Sequence, residues 1–158
     1  MLTLQNFRMV IRMWTGDPPK AAIVLGGMGL IPFVSLAVIV VVGPESFKVD
    51  ALSALAAYGA LILSFLGGAH WGYCIASAPR DAESNSIRLV ASVMPAIVAW
   101  GALLSPVSIT LYGLACGLIA MLAFDIWSVS RGWSPEWYPK IRWPLTICAV
   151  TAIIAAAT

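Results

Sequence analysis

The chain has 158 residues, 61% of them apolar and only 10% charged, with a formal net charge of +2. A soluble domain carries about 25% charged and about 45–50% apolar residues, so this composition excludes a water-soluble globular enzyme, a secreted disulfide scaffold and a disordered tail. The charges are also clustered: no Lys, Arg, Asp or Glu falls between Lys20 and Glu45, between Asp50 and Arg80, or between Arg88 and Asp125.

Residues 2–14 place Leu4, Phe7, Ile11 and Trp14 on one helical face, flanked by Arg8 and Arg12, with no acid before Asp17. That pattern predicts a short amphipathic helix lying in the membrane surface within segment 1–19. A secretory signal fits poorly, because the following apolar run is too long and lacks a small-residue cleavage site; a short transit-like sequence is the alternative. Gly16-Asp17-Pro18-Pro19 then breaks the helix.

A spanning helix needs about 20 apolar residues to cross about 30 Å of hydrocarbon. Residues 21–43 and 51–78 each satisfy this, the second interrupted only by His70. The run 89–124 would be roughly 54 Å long as one helix, and Ser105-Pro106 near its middle turns the chain. It therefore divides into spans 87–104 and 107–129. A fifth span covers 139–157, with Lys140 and Arg142 expected to snorkel to the interface. Residues 20–158 thus read as one domain, and the fold class is all-α: an integral membrane bundle of five transmembrane helices behind a short N-terminal interfacial helix.

Inside the spans, Pro32 and Pro95 predict bends that free a carbonyl for a neighbour to satisfy. Asp50 reads as the N-cap of span two. Along that span Ala56, Ala60, Ser64, Gly68, Gly72 and Ala76 recur every fourth residue. Helices in lipid associate by close approach at small residues, so this stripe predicts a packing seam, inside the chain or against a partner. A weaker version occurs at Gly113 and Gly117.

Orientation follows from the basic residues. Arg8, Arg12, Lys20, Arg80, Arg88, Arg131, Lys140 and Arg142 fall on one side and Lys48 alone on the other, which places the N-terminus in the cytoplasm (or an organelle matrix) and the C-terminus outside. The net charge is a topology signal, not a nucleic-acid footprint. Trp14, Trp127, Trp133, Trp137, Tyr138 and Trp143 fall near the same interface, where amphipathic rings anchor. Cys74, Cys116 and Cys148 have no CxxC spacing and read as small apolar residues within spans.

Two ionisable side chains, His70 and Asp125, lie inside the spans at similar depth. Such residues are costly in lipid and imply a partner. The two readings are structural polar glue, with Asp125 pairing Arg131, Arg88 or Lys140, and a proton or ligand role for the His70–Asp125 pair. No GxSxG, HExxH, Walker A or dinucleotide fingerprint occurs. No catalytic residue, cofactor site or metal site is assigned, and five spans do not split into two equal inverted halves.

Four stretches occur together in this order: Gly29-Leu-Ile-Pro-Phe33, Tyr58–Gly72 (YGALILSFLGGAHWG), Ser92–Trp100 (SVMPAIVAW) and Pro135–Thr146 (PEWYPKIRWPLT). With them the chain resembles the domain-of-unknown-function family numbered 3429 from about residue 20 onwards. The resemblance implies a small multi-pass protein of bacterial or mitochondrial inner membranes, and puts Gly68, His70, Trp71, Pro95, Asp125, Trp137 and Tyr138 on family motif positions. It implies no activity.

Minimal loops, the small-residue seam and the lack of a catalytic constellation lead to the expectation of a non-enzymatic accessory, assembly or stabilising subunit. Its partners would be the lipid bilayer and a larger respiratory or photosynthetic membrane complex, which would supply any bound lipid, quinone or pigment. A small proton-linked or solute transporter using His70 and Asp125 is the alternative. A membrane-embedded hydrolase or transferase would need a polar pocket around His70 lined by Ser64, Tyr73 or Asp125.

Overall fold

A computed structural model describes residues 17–76 and 82–158; the surface helix and Trp14 expected within 1–19 lie largely outside them. Among the described residues, five helices are long and apolar enough to cross a membrane. The first is two pieces, α1 (Lys20–Met28) and α2 (Ile31–Val42), followed by α3 (Glu45–Ala76), α4 (Ala82–Leu103), α5 (Val107–Ser130) and α6 (Tyr138–Ala157).

The break between α1 and α2 falls just before Pro32, which occupies the first turn of α2. Proline has no N–H to give to the preceding turn, so the break is tolerated there. The Tyr58 hydroxyl on α3 donates to the Gly29 carbonyl at 2.8 Å, satisfying an acceptor at the interruption. The Tyr58 ring also meets Phe33 edge-on, centroids 5.0 Å apart.

Helix α3 begins at Glu45, so Asp50 lies within it and is not its N-cap. Hydropathy locates the edge of the oil, whereas helical hydrogen bonding continues into the headgroup zone. Glu45 in the first turn suits the positive end of the helix dipole, and Lys48 pairs with it at 2.7 Å.

The long α3 is central: it packs against α2, α4 and α5, and α6 packs against α5, α2 and α1. Phe33, Leu55, Leu63, Leu114, Leu118 and Ile153 are among the fully buried side chains. Glycines and alanines let the backbones come near. A Cβ on Gly67 would run into the Ser92 carbonyl and lie 3.2 Å from Pro95 Cγ, and one on Gly117 would lie 2.6 Å from Leu63 Cδ2.

The four-residue stripe of α3 divides. Ala56 and Ala60 are buried, Ser64 is half-buried, and Gly68, Gly72 and Ala76 are exposed, with nothing within 4 Å of a Cβ built on Gly68 or Gly72. The physical reason is helical phase. A step of four residues advances about 400° at 3.6 residues per turn, so the stripe rotates by about 40° each step. It starts facing the bundle and ends facing outwards, while the intramolecular contact passes to Gly67.

Two tight connections set the remaining helices. Thr110 donates its hydroxyl to the Ala102 carbonyl at 2.6 Å, closing the α4–α5 turn. Helix α5 ends in a left-handed Gly132 (φ 70°), with Trp133 N–H bonded to the Ser128 carbonyl at 2.9 Å and Gly132 N–H to Val129 at 2.9 Å. Only glycine takes that φ without strain. The reversal carries the chain straight back into α6.

Candidate functional site

His70, Asp125 and Arg142 come from three helices, α3, α5 and α6, and meet inside the bundle. Asp125 is 0% exposed, His70 4% and Arg142 6%. Asp125 Oδ1 lies 2.6 Å from His70 Nε2, so the Nε2–H tautomer of the imidazole donates to it. Arg142 Nε donates to the other oxygen, Oδ2, at 2.7 Å. Both oxygens of the carboxylate are thus engaged, each by a different helix.

Sequence reasoning brought His70 and Asp125 to one depth but misassigned the cation. Arg142 does not snorkel to the interface, and it is Arg142, not Arg131, Arg88 or Lys140, that forms the ion pair with Asp125. Arg131 instead lies 5.1 Å from the Trp127 ring and Arg88 5.5 Å from Trp133. A depth count contains the missing signal. Asp125 lies five residues before the end of α5 and Arg142 four residues after the start of α6. At 1.5 Å per residue those are about 8 Å and about 6 Å from the same end of the bundle, so burial of Arg142 completes the charge compensation that an intramembrane Asp requires.

Aromatic rings enclose His70: Phe124, Tyr73 and Tyr138, with centroids at 4.8, 5.9 and 6.5 Å. The anchors continue outwards from there. Trp127 meets Phe124 at 5.5 Å and Trp133 at 4.8 Å, and Trp137 meets Tyr138 at 5.9 Å. Trp127 and Trp143 are exposed, whereas Trp133, Trp137 and Tyr138 are half-buried. Tyr138 therefore covers the clasp as much as it faces an interface.

Below Asp125, the Ser128 hydroxyl donates to the Asp125 carbonyl at 2.8 Å and lies 2.7 Å from Ser134 Oγ. Ser64 is not recruited to His70; its hydroxyl donates to the Ala60 carbonyl at 2.8 Å, one turn back. Among the described residues, no group of three or more His, Cys, Asp or Glu is arranged to hold a metal. Two buried polar atoms have no partner among the described residues, Arg142 Nη2 and Thr146 Oγ1, one turn apart on α6.

Chemically, the arrangement joins three helices through one carboxylate. Mutual attraction in a low-dielectric surrounding is strong: removing Asp125 leaves Arg142 buried without compensation, and removing Arg142 leaves the carboxylate held by His70 alone.

Residues 18–158 match the family described as protein of unknown function (DUF3429). The chain is 37% identical over 142 residues to "Transmembrane protein 69" of Xenopus tropicalis, covering 89% of this chain and 54% of that protein. It is 30% identical over 140 residues to "Transmembrane protein 69" of Mus musculus, covering 87% of this chain and 56% of that one. The chain therefore spans about half the length of the curated relatives it matches. No solved structure matches it.

Proposed function

This chain belongs to the family described as protein of unknown function (DUF3429), and we propose that it works as a non-enzymatic accessory, assembly or stabilising subunit packed against a larger membrane complex. The observation that carries the reading is the closed clasp. Asp125 is held on both oxygens and its partner His70 is walled by rings, which suits a device that fixes helix positions better than a relay open to solvent. The outward-facing Gly68 and Gly72, flanked by exposed Phe65 and Ile75, supply a shallow face on which a partner helix can approach closely.

The setting we infer is a bacterial inner membrane, or the mitochondrial one in a eukaryote, with the host among the respiratory or photosynthetic complexes. Lys20, Arg88, Arg131 and Lys140 cluster at one end of the bundle and Lys48 at the other, which favours the N-terminus in the cytoplasm or matrix and the C-terminus opposite.

Extraction in mild detergent followed by native electrophoresis tests the reading. The expected result is co-migration with a larger complex that is lost when Gly68 and Gly72 are both changed to Ile. Migration only as a monomer or homo-oligomer counts against it. The transporter reading rests on the same His70–Asp125 pair. It predicts a proton or solute flux in proteoliposomes that His70→Ala abolishes in a folded protein; absence of flux from every gradient tried removes it.

A further inference from the structure

Arg142 Nη2 and Thr146 Oγ1 are buried in an otherwise apolar stretch of α6 without a hydrogen-bond partner among the described residues. Buried donors without acceptors are rare and costly, so two on adjacent turns of one helix call for an explanation. Both residues line the same cavity, about 330 Å³, lying between α1, α2, α3, α5 and α6. Its other walls are apolar, among them Leu25, Leu30, Phe65, Leu66 and Leu145. At one end it is bordered by Ala22, Trp137 and Tyr138, at the starts of α1 and α6. A volume of this size is at the lower end of ordinary ligand sites.

We propose that this cavity is a binding site for a membrane glycerolipid, whose acyl ester carbonyl accepts hydrogen bonds from Arg142 Nη2 and the Thr146 hydroxyl. Depth is the first argument. Trp137 and Tyr138 belong to the aromatic level of the membrane, and such rings sit at the headgroups. Arg142 is four residues further along α6, about 6 Å deeper, which is the thickness of one headgroup layer and so the level of the ester groups. Thr146 is one turn deeper, but its Cα–Cβ bond tilts towards the helix N-terminus, back in the direction of that level.

Charge is the second argument. The Arg142 guanidinium is already compensated by Asp125, so a second anion buried beside it would lack a counter-charge. A neutral carbonyl fits and a phosphate does not; the phosphate of the same lipid stays in the headgroup layer. Acyl chain then fills the apolar remainder of the cavity and gives its lining atoms the dispersion partners that an empty space denies them.

Native mass spectrometry of the full chain, delipidated and then offered defined lipids, tests the site. A diester phosphatidylcholine is expected to be retained about tenfold better than its diether analogue, which has the same headgroup and chains but no carbonyl; one charge-assisted hydrogen bond accounts for a ratio of that size. Thr146→Val is expected to lower the ester preference several-fold and Thr146→Ser to restore it. Ala22→Trp, placed at the end bordered by Trp137 and Tyr138, is expected to lose the bound lipid. Equal retention of ester and ether lipids overturns the proposal, as does displacement of the ester lipid by an isoprenoid quinone or an unchanged preference in Thr146→Val. Should Thr146→Val fail to fold, the ester–ether comparison on the unaltered chain decides alone.

Discussion

Asp125 ties three helices together, because its two oxygens bind residues from two other helices. Asp125→Ala leaves the Arg142 guanidinium buried and uncompensated, and the expected loss is about 3–5 kcal/mol of stability in detergent, read from chemical unfolding followed by circular dichroism. Arg142→Met is expected to cost a similar amount, since the carboxylate is then left held by His70 alone. The double variant Asp125→Leu, Arg142→Met removes both charges together and should recover most of the loss. A double variant as unstable as the two single losses added would show that the residues act independently, against the clasp. Tyr58→Phe keeps the ring against Phe33 but leaves the Gly29 carbonyl without its donor; a loss of about 1 kcal/mol is expected by the same measurement.

At the level of the helix, two adjacent glycines of α3 have opposite meanings. Gly67 touches the α4 backbone at Ser92, so Gly67→Ala must push α3 and α4 apart, at an expected cost of about 1–3 kcal/mol. Gly68 faces open space, and Gly68→Ala should leave the isolated chain unchanged or stabilise it by up to about 1 kcal/mol, as alanine is the better helix former. Thermal unfolding of the two variants side by side checks the contrast, and equal effects would contradict this rotation of α3. The sequence shows the run of small residues plainly, yet the strict four-residue spacing points to Gly68, because it ignores the steady rotation of a 3.6-residue helix. The helix start at 107 was legible from proline, and that of α6 to within one residue (139 against 138) from hydropathy. The start of α3 was not, because a helix does not stop where its side chains become polar.

For the whole molecule, the orientation we infer, with five crossings, would put the two ends of the described bundle on opposite sides. In a background without Cys74, Cys116 and Cys148, Ser46→Cys and Thr158→Cys are expected to react with an impermeant maleimide added outside intact cells, and Glu136→Cys only after permeabilisation. Labelling of position 136 from outside would reverse the orientation argued from the basic residues. The clasp also lies near that basic end, since α3 and α5 finish there and α6 starts there. The end richest in rings and cations is therefore the one fastened by charge, and the opposite end is held by apolar packing of side chains such as Phe33, Leu55, Leu111 and Ile153.

The amino-acid order alone determined the solvent, the number of crossings and the two residues whose polarity had to be compensated. Each of these depends on a one-dimensional quantity, the length of an apolar run measured against bilayer thickness. Tertiary structure alone decided that Arg142 answers Asp125, that Gly67 rather than Gly68 is pressed, and that Arg142 and Thr146 line one cavity. Those outcomes depend on how far each helix is rotated about its axis and on which neighbour stands there, and packing of all the helices together sets both.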